Sequence, residues 1–185
     1  EIGITGLELA NSLSKSLAKE AIALKVNGEL KDLSLPLEND AKVEIITKND
    51  SEALDILNHS TAHLLAHAVM ELYPDSQLAF GPSIEEGFYY DIMFKEPISE
   101  NDFPKIEKKM HELANKAIKI ERVLLTKDEA KQMFKDQKFK LDHLNDIEDP
   151  ITVYKISISG CKTMCFVETV AYDDNSIHVI VYEIL

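Results

Sequence analysis

Residues 59–67 read HSTAHLLAH and place histidines four positions apart, at His59, His63 and His67. The stretch around them, residues 52–72, follows a polar break and carries Leu, Ala and Val at helical spacing, so it predicts one long helix. Residues four apart share one face of a helix, about 6 Å apart along its axis. Imidazoles in this arrangement can bind one metal ion or flank one substrate. Taken singly, each histidine is more often a solvated or hydrogen-bonded residue.

The residues before this helix predict a small α+β module. Residues 5–17 have apolar side chains near helical spacing behind a capping threonine, Thr5, and they predict a short amphipathic helix. An alternating apolar run that ends at Asn27-Gly28 predicts a β-hairpin. Residues 43–47 are rich in β-branched side chains and predict another strand.

The residues after the long helix predict further strands and helices. Strands are expected over residues 78–80, 87–93 and 118–125, where apolar and aromatic residues stand between turn signals. Helices are expected to begin at Ser99 and Thr126, each of which is followed three positions later by an acidic residue, as in a capping box. The chain as a whole therefore predicts an α+β fold.

The charge of the chain limits its partners. The 185 residues contain 20 Lys and Arg against 33 Asp and Glu, a formal net charge of −13, which argues against a reader of duplex DNA. The surplus is uneven, because residues 51–94 hold acids but no Lys or Arg, whereas residues 95–140 are net positive. No apolar run approaches the length of a membrane span, so we expect no membrane partner. With only two cysteines, a reducing cytoplasm is the expected compartment.

Two further residue types are candidates for a site. Tyr89 and Tyr90 point to opposite faces of a predicted strand, so one can line a cavity while the other packs in the core. Aromatic packing is an equally good interpretation of either tyrosine. Lys140 can orient an ester carbonyl or act as a general base if it is partly buried. From its local sequence alone, a solvated lysine is the better interpretation.

The two cysteines offer a possible metal site. Cys161 and Cys165 have three residues between them, and two thiolates with the imidazoles of His59 and His63 would complete a tetrahedral zinc site. The alternative is that both cysteines are small apolar residues on strands or in a turn. A zinc-binding structural domain is therefore one hypothesis for this chain.

The motifs HSTAHLLAH at 59–67, Gly81-Pro82 and EGFYYD at 86–91 together resemble the N-terminal region of threonyl-tRNA synthetases. The resemblance runs from about residue 5 to residue 155. It implies that residues 1–48 form a TGS-like β-grasp domain that lacks its first hairpin. It also implies that residues 50–185 form an α+β editing domain of the threonyl- and alanyl-tRNA synthetase type.

This resemblance implies a function. The editing domain of the family hydrolyses the ester of tRNA(Thr) mischarged with serine, because a site for threonine excludes a side chain smaller by one methyl by only about 1–3 kcal/mol. The catalytic residues would be His59, His63 and Lys140, with Tyr90 in the substrate pocket. The partners would be the acceptor end of tRNA(Thr), facing the positive segment 95–140, and the rest of the synthetase. No cofactor would be required, and we expect no aminoacylation by this chain.

The end of the chain departs from the family. Threonyl-tRNA synthetases continue into a Cys-Arg-Gly-Pro-His stretch that supplies the second half of the editing site, and residues 156–185 contain none. Residues 166–172 and 177–185 still predict two strands. The tail has diverged and the site decayed, or other residues form the pocket, or residues 156–185 are not native to the family. The alternative function is thus an inactive appended domain that only positions tRNA.

Overall fold

The computed structural model describes residues 3–84, 87–116, 118, 120–156 and 164–167, with side chains described to residue 155 except at 120. Cys161 and the strand expected over residues 177–185 lie outside the described part. The described residues separate into two units, one ending at Ser60 and the other beginning at Thr61. The predicted family boundary between residues 48 and 50 stays a prediction.

The first unit contains two short helices and a three-stranded antiparallel sheet. Its elements, in chain order, are α1 (Gly6–Leu13), α2 (Lys15–Glu20), β1 (Ala21–Val26), β2 (Glu29–Lys31), β3 (Val43–Thr47) and the first turns of α3 (Ala53–Leu72). The strand order in the sheet is β2-β1-β3. Helices and antiparallel strands in one chain confirm the predicted α+β class.

Local signals explain most of this unit. Asn27 and Gly28 have φ angles of 52° and 93°, which close the predicted hairpin between β1 and β2. The single helix expected over residues 5–17 is instead two helices. Ser14 ends α1, and its side chain accepts a hydrogen bond of 3.0 Å from the backbone N–H of Leu17 to cap α2.

The core of the first unit joins its sheet to α3. Ile22 and Ala23 of β1 and Ile46 of β3 pack against Ala53 and Ile56. The first two turns of α3 therefore belong with the sheet, because burying this apolar face is the main stabilising contribution of a small module. The helix agrees with the one predicted over residues 52–72.

The second unit continues α3 and adds short helices and small antiparallel sheets. Its further elements are β4 (Gln77–Leu78), β5 (Ser83–Ile84), β6 (Gly87–Phe88), β7 (Ile92–Met93), α4 (Phe103–Ala114), β8 (Ile120–Leu125), α5 (Lys127–Met133), α6 (Lys138–Leu144), β9 (Ile151–Ile156) and β10 (Met164–Val167). A single 3-10 turn, Glu100–Asp102, precedes α4.

The described strands of this unit form one three-stranded sheet and two two-stranded sheets. Strand β9 lies between β8 and β10 in the larger sheet, whereas β4 pairs with β7 and β5 pairs with β6. The capping patterns at Ser99 and Thr126 both form the predicted reciprocal bonds. The strand expected over residues 87–93 is two short strands, β6 and β7. The backbone bonds from Tyr89 and Asp91 to Pro82 and Phe80 keep the register of the β5–β6 pair, whereas β7 pairs with β4 one residue out of that register.

Three apolar clusters hold the second unit together. One joins α5, α6 and β9 around Phe134 and Leu144, and a second joins α3 to α4 around Val69 and Leu113. The third packs Ala66 of α3 against Leu78 of β4. Among the residues that the structure describes, none of the helices has the length and apolar character needed to cross a bilayer.

Candidate active site

The candidate histidines differ in burial along α3. His59 and His63 are half-buried, whereas His67 is 1% exposed. Ala62 and Ala66, on the same helix, are fully buried. The predicted row of three is therefore two histidines that solvent can reach and a third that is enclosed by protein.

Burial determines the protonation of His59. Desolvation lowers the pKa of the His59 imidazole below its usual range, and the carboxylate of Asp55, one turn earlier, partly opposes this effect. The imidazole is consequently neutral at neutral pH, and a ring nitrogen is able to accept a proton.

His67 is the buried member of a partly exposed polar cluster between α3 and α4. Its Nε2 atom lies 3.4 Å from Oε1 of Glu71, and Nζ of Lys109 lies 3.3 Å from the other carboxylate oxygen of Glu71. Desolvation is the main cause that lowers the pKa of His67. The charge of Glu71 raises this pKa, and the charge of Lys116 lowers it further. These contacts assign His67 to the packing of the unit rather than to an open site.

Tyr90 is the tyrosine that turns inward. It packs against the cluster formed by Ala66 and Leu78, whereas Tyr89 is 49% exposed. Ala66 lies three positions after His63, so this cluster reaches α3 within one turn of that histidine. Desolvation raises the pKa of Tyr90 to about 12, which keeps its phenol protonated and able to donate a hydrogen bond.

Lys140 is buried, contrary to the solvated state that its local sequence favoured. Its side chain is 7% exposed within α6, and its Nζ atom lies 5.5 Å from the centre of the Phe134 ring. An ammonium over an aromatic face gains electrostatic stabilisation when it is desolvated. A buried positive charge of this kind can stabilise negative charge that develops on a bound substrate.

The segment Phe80–Gly81 links Tyr90 to the helix that carries Lys140. The ring of Phe80 meets the ring of His143 edge to face, with centroids 5.0 Å apart. The ring of Tyr90 lies directly on Gly81, where an added Cβ would be 2.2 Å from Cδ2 of the tyrosine. Tyr90 and α6 are thus held by neighbouring residues of one loop.

Hydrogen bonds fix this loop to the start of α6. The backbone N–H of Leu78 donates to Oε1 of Gln137 over 3.0 Å, and the backbone N–H of Lys138 donates to Oε1 of Gln77 over 2.9 Å. Sequence reasoning missed Gln137, Phe80 and His143. The adjacent Gly81-Pro82 turn was the available signal, but no local pattern indicates which helix a loop will contact.

The zinc hypothesis depends on residues beyond this part of the site. Within the described residues, no three His, Cys, Asp or Glu side chains are grouped as a metal site. Cys161 lies outside the described residues, and Cys165 is described only as backbone, opposite Lys155 in the β9–β10 pair. Zinc bound by these cysteines with His59 and His63 therefore stays a prediction.

Comparisons with known proteins point to one family. The family model of the TGS domain matches residues 2–47. A threonine–tRNA ligase of Hyphomonas neptunium is 49% identical over 158 residues, which are 83% of this chain and 24% of the relative. A threonine–tRNA ligase of Staphylococcus aureus is 45% identical over 154 residues, or 82% and 24%. The chain spans about a quarter of the length of these curated relatives.

Proposed function

Since the chain is a relative of the N-terminal region of threonine–tRNA ligases and carries a TGS domain at residues 2–47, we propose that it hydrolyses the ester of tRNA(Thr) mischarged with serine. The observation that carries the proposal is the environment of Tyr90 and Lys140. Tyr90 lies against Gly81 and packs on the cluster that contains Ala66, one turn from His63. The neighbouring Phe80 contacts His143 on α6, the helix that carries the buried Lys140.

The histidines of α3 supply the base in this proposal. A water molecule attacks the ester carbonyl carbon, and a neutral imidazole of His59 or His63 takes its proton. The lowered pKa of His59 keeps that ring available as an acceptor at neutral pH. The ester C–O bond then breaks, the protonated imidazole returns the proton to the ribose oxygen, and serine leaves the tRNA.

Lys140 and Tyr90 supply the electrostatic part. The ammonium of Lys140 stabilises the negative charge that forms on the carbonyl oxygen during attack. Its burial strengthens that interaction, since a charge in a low-dielectric setting is screened less by water. The protonated phenol of Tyr90 donates a hydrogen bond that orients the seryl group or its ribose.

The need for such a site follows from the size of the two amino acids. An aminoacylation site that accepts threonine also admits serine, because the missing methyl group changes the binding free energy by only about 1–3 kcal/mol. Hydrolysis at a second site removes the wrong product. The tRNA acceptor end, the rest of the synthetase and a cytoplasmic setting belong to this proposal, and the net-positive segment 95–140 is the part proposed to face the tRNA.

The proposed hydrolysis uses only water and the side chains of His59 or His63, Lys140 and Tyr90. His59 and His63 are suited by residue type to a zinc ion, which would supply Lewis-acid chemistry, with Cys161 and Cys165 as the further ligands in that hypothesis. Metal analysis of protein purified without added zinc tests it. One equivalent of zinc that is lost in a Cys161→Ser variant would support the site.

Release of serine from seryl-tRNA(Thr) tests the proposed function. We expect hydrolysis of the seryl ester and little hydrolysis of the threonyl ester. No release above background, in a chain that still binds tRNA, would instead support the appended domain that only positions tRNA.

A further inference from the structure

Gln137, which directly precedes α6, bonds to the backbone around β4. Its side-chain amide accepts a hydrogen bond of 3.0 Å from the backbone N–H of Leu78 and donates one of 3.2 Å to the carbonyl oxygen of Ser76. Ser76 and Leu78 flank Gln77, and both are buried. The amide therefore satisfies two backbone groups that would be costly to leave without partners in the interior.

Gln77 makes the reciprocal pair of bonds to the start of α6. Its amide accepts a hydrogen bond of 2.9 Å from the backbone N–H of Lys138 and donates one of 3.0 Å to the carbonyl oxygen of Asp136. Each glutamine thus bonds to the two residues that flank the other. Because the first N–H groups of a helix have no partner within it, Gln77 caps α6 from a distant part of the chain. We call these two side chains and their hydrogen bonds the glutamine clamp.

The glutamine clamp joins the helix of Lys140 to the strand against which Tyr90 packs. Lys140 lies three residues after Gln137, on the first turn of α6. Leu78, whose N–H the clamp holds, belongs to the apolar cluster that Tyr90 contacts. Helix α6 has seven residues, too few for a helix that is stable without tertiary contacts. The position of Lys140 therefore depends on the contacts that hold this helix.

We propose that Gln77 and Gln137 are positioning residues, which hold Lys140 where its ammonium meets the carbonyl oxygen of the ester. Leu141 and Leu144 also pack α6 into the unit, but apolar contacts are not directional. The hydrogen bonds of two planar amides fix the distance and the orientation of the helix start. A displaced ammonium would stabilise the transition state less, since this effect requires charge that is placed before the reaction. The role in hydrolysis rests on the proposed function, whereas the holding of Lys140 does not.

Chemical labelling of lysines tests the holding of Lys140 without any hydrolysis. The full chain is treated briefly with an amine-acylating reagent, and the labelled fraction of each lysine is measured by peptide mass spectrometry. Lys140 is 7% exposed, so we expect slow labelling in the parent and severalfold faster labelling in Gln77→Ala and Gln137→Ala. Gln132→Ala, at an exposed position of α5, is the matched control and should label as the parent does. Lys109, in the contact of α3 with α4, should keep its labelling rate in every variant.

A second variant keeps the test valid if alanine unfolds the unit. Gln137→Glu preserves the shape and the acceptor for the N–H of Leu78, but it removes the donor to Ser76. It should also speed the labelling of Lys140. Unchanged labelling of Lys140, or an equal increase at Lys109, in both variants of Gln137 would overturn the proposal.

Release of serine from seryl-tRNA(Thr) tests the role in hydrolysis. We expect Gln137→Ala to lower kcat by about tenfold or more and to change KM little, since Lys140 is proposed to act on the transition state. In a Lys140→Met background, the same change should lower the rate no further, because the ammonium that the clamp positions is gone. A loss of equal size in both backgrounds would overturn the positioning role.

The proposed function can fail separately. A parent chain that releases no serine, but in which Gln137→Ala speeds the labelling of Lys140, would overturn the hydrolysis and leave the holding of Lys140 in place. A parent chain that releases serine with the same kcat as Gln137→Ala would overturn the positioning role alone.

Discussion

Gly81 lies against the ring of Tyr90 so closely that any side chain at this position would overlap it. An ideal Cβ at Gly81 would be 2.2 Å from Cδ2 and 2.5 Å from Cε2 of Tyr90. Real Cβ contacts this short are not tolerated without movement. The position of the Tyr90 ring therefore depends on the absence of a side chain at residue 81.

Replacing Gly81 by alanine should move Tyr90. The overlap is with a half-buried ring rather than with a flexible chain end, so we expect a loss of about 1–3 kcal/mol in the free energy of unfolding. Urea denaturation measures that loss, and seryl-tRNA hydrolysis should fall with it. Adding Tyr90→Ala to Gly81→Ala should cost less than the sum of the two single changes. Strictly additive costs would show that the two residues do not compete for space.

Removing the charge of Lys140 should abolish most of the hydrolysis without unfolding the chain. Methionine matches the length of the lysine stem and suits the apolar setting beside Phe134. We expect Lys140→Met to lower kcat by about 100-fold or more, which is typical of losing one oxyanion stabiliser. Lys19→Met, at an exposed position of α2, is the matched control and should keep the parent rate.

The pH dependence of hydrolysis should follow His59. Because burial lowers its pKa and Asp55 raises it, removal of the Asp55 charge leaves desolvation unopposed. The rate should fall as the pH decreases and the imidazole becomes protonated. In Asp55→Asn, this acid limb should move to lower pH, measured as kcat against pH. A limb that stays in place, or moves to higher pH, would remove His59 from the role of base.

Stability should also decrease as the pH falls below about 6.5, the ordinary histidine value. Burial lowers the pKa of His59, His67 and His143 in the folded chain. As the pH falls, the unfolded chain therefore binds protons at a higher pH than the folded chain does, which stabilises the unfolded state. Carboxylates with a lowered pKa begin to contribute only below about pH 5. The fall in unfolding free energy between pH 7 and pH 5.5 should be smaller in His67→Gln and unchanged in His111→Gln, since His111 is exposed.

Features set by neighbouring residues were predicted well from the sequence. The turn at Asn27-Gly28 and the capping pairs at Ser99 and Thr126 depend on residues within three positions, and all of them form. The long helix was predicted to within a residue of its start. Ser14 is the exception among local signals, because its cap for α2 interrupts an apolar pattern that is continuous in sequence.

Features set by distant contacts were not predicted. Helix α6 is too short for a clear amphipathic pattern, and it is held by bonds from Gln137 to Leu78 and Ser76, about sixty residues earlier in the chain. Lys140 of this helix is buried with its ammonium over the ring of Phe134, whereas its local sequence favours solvent. Which of the two tyrosines turns inward likewise depends on a tertiary contact, because Tyr90 packs against the cluster of Ala66 and Leu78.

Seryl-tRNA(Thr) is the substrate that separates an editing hydrolase from a domain that only positions tRNA. Release of labelled serine should be followed under single-turnover conditions for the parent chain, His59→Ala, Lys140→Met and the surface control His111→Ala. We expect rapid release of serine and slow release of threonine by the parent and His111→Ala, with release by the other two variants near the uncatalysed rate. Release that is absent from the parent, or equal in all four proteins, would contradict the proposed hydrolysis.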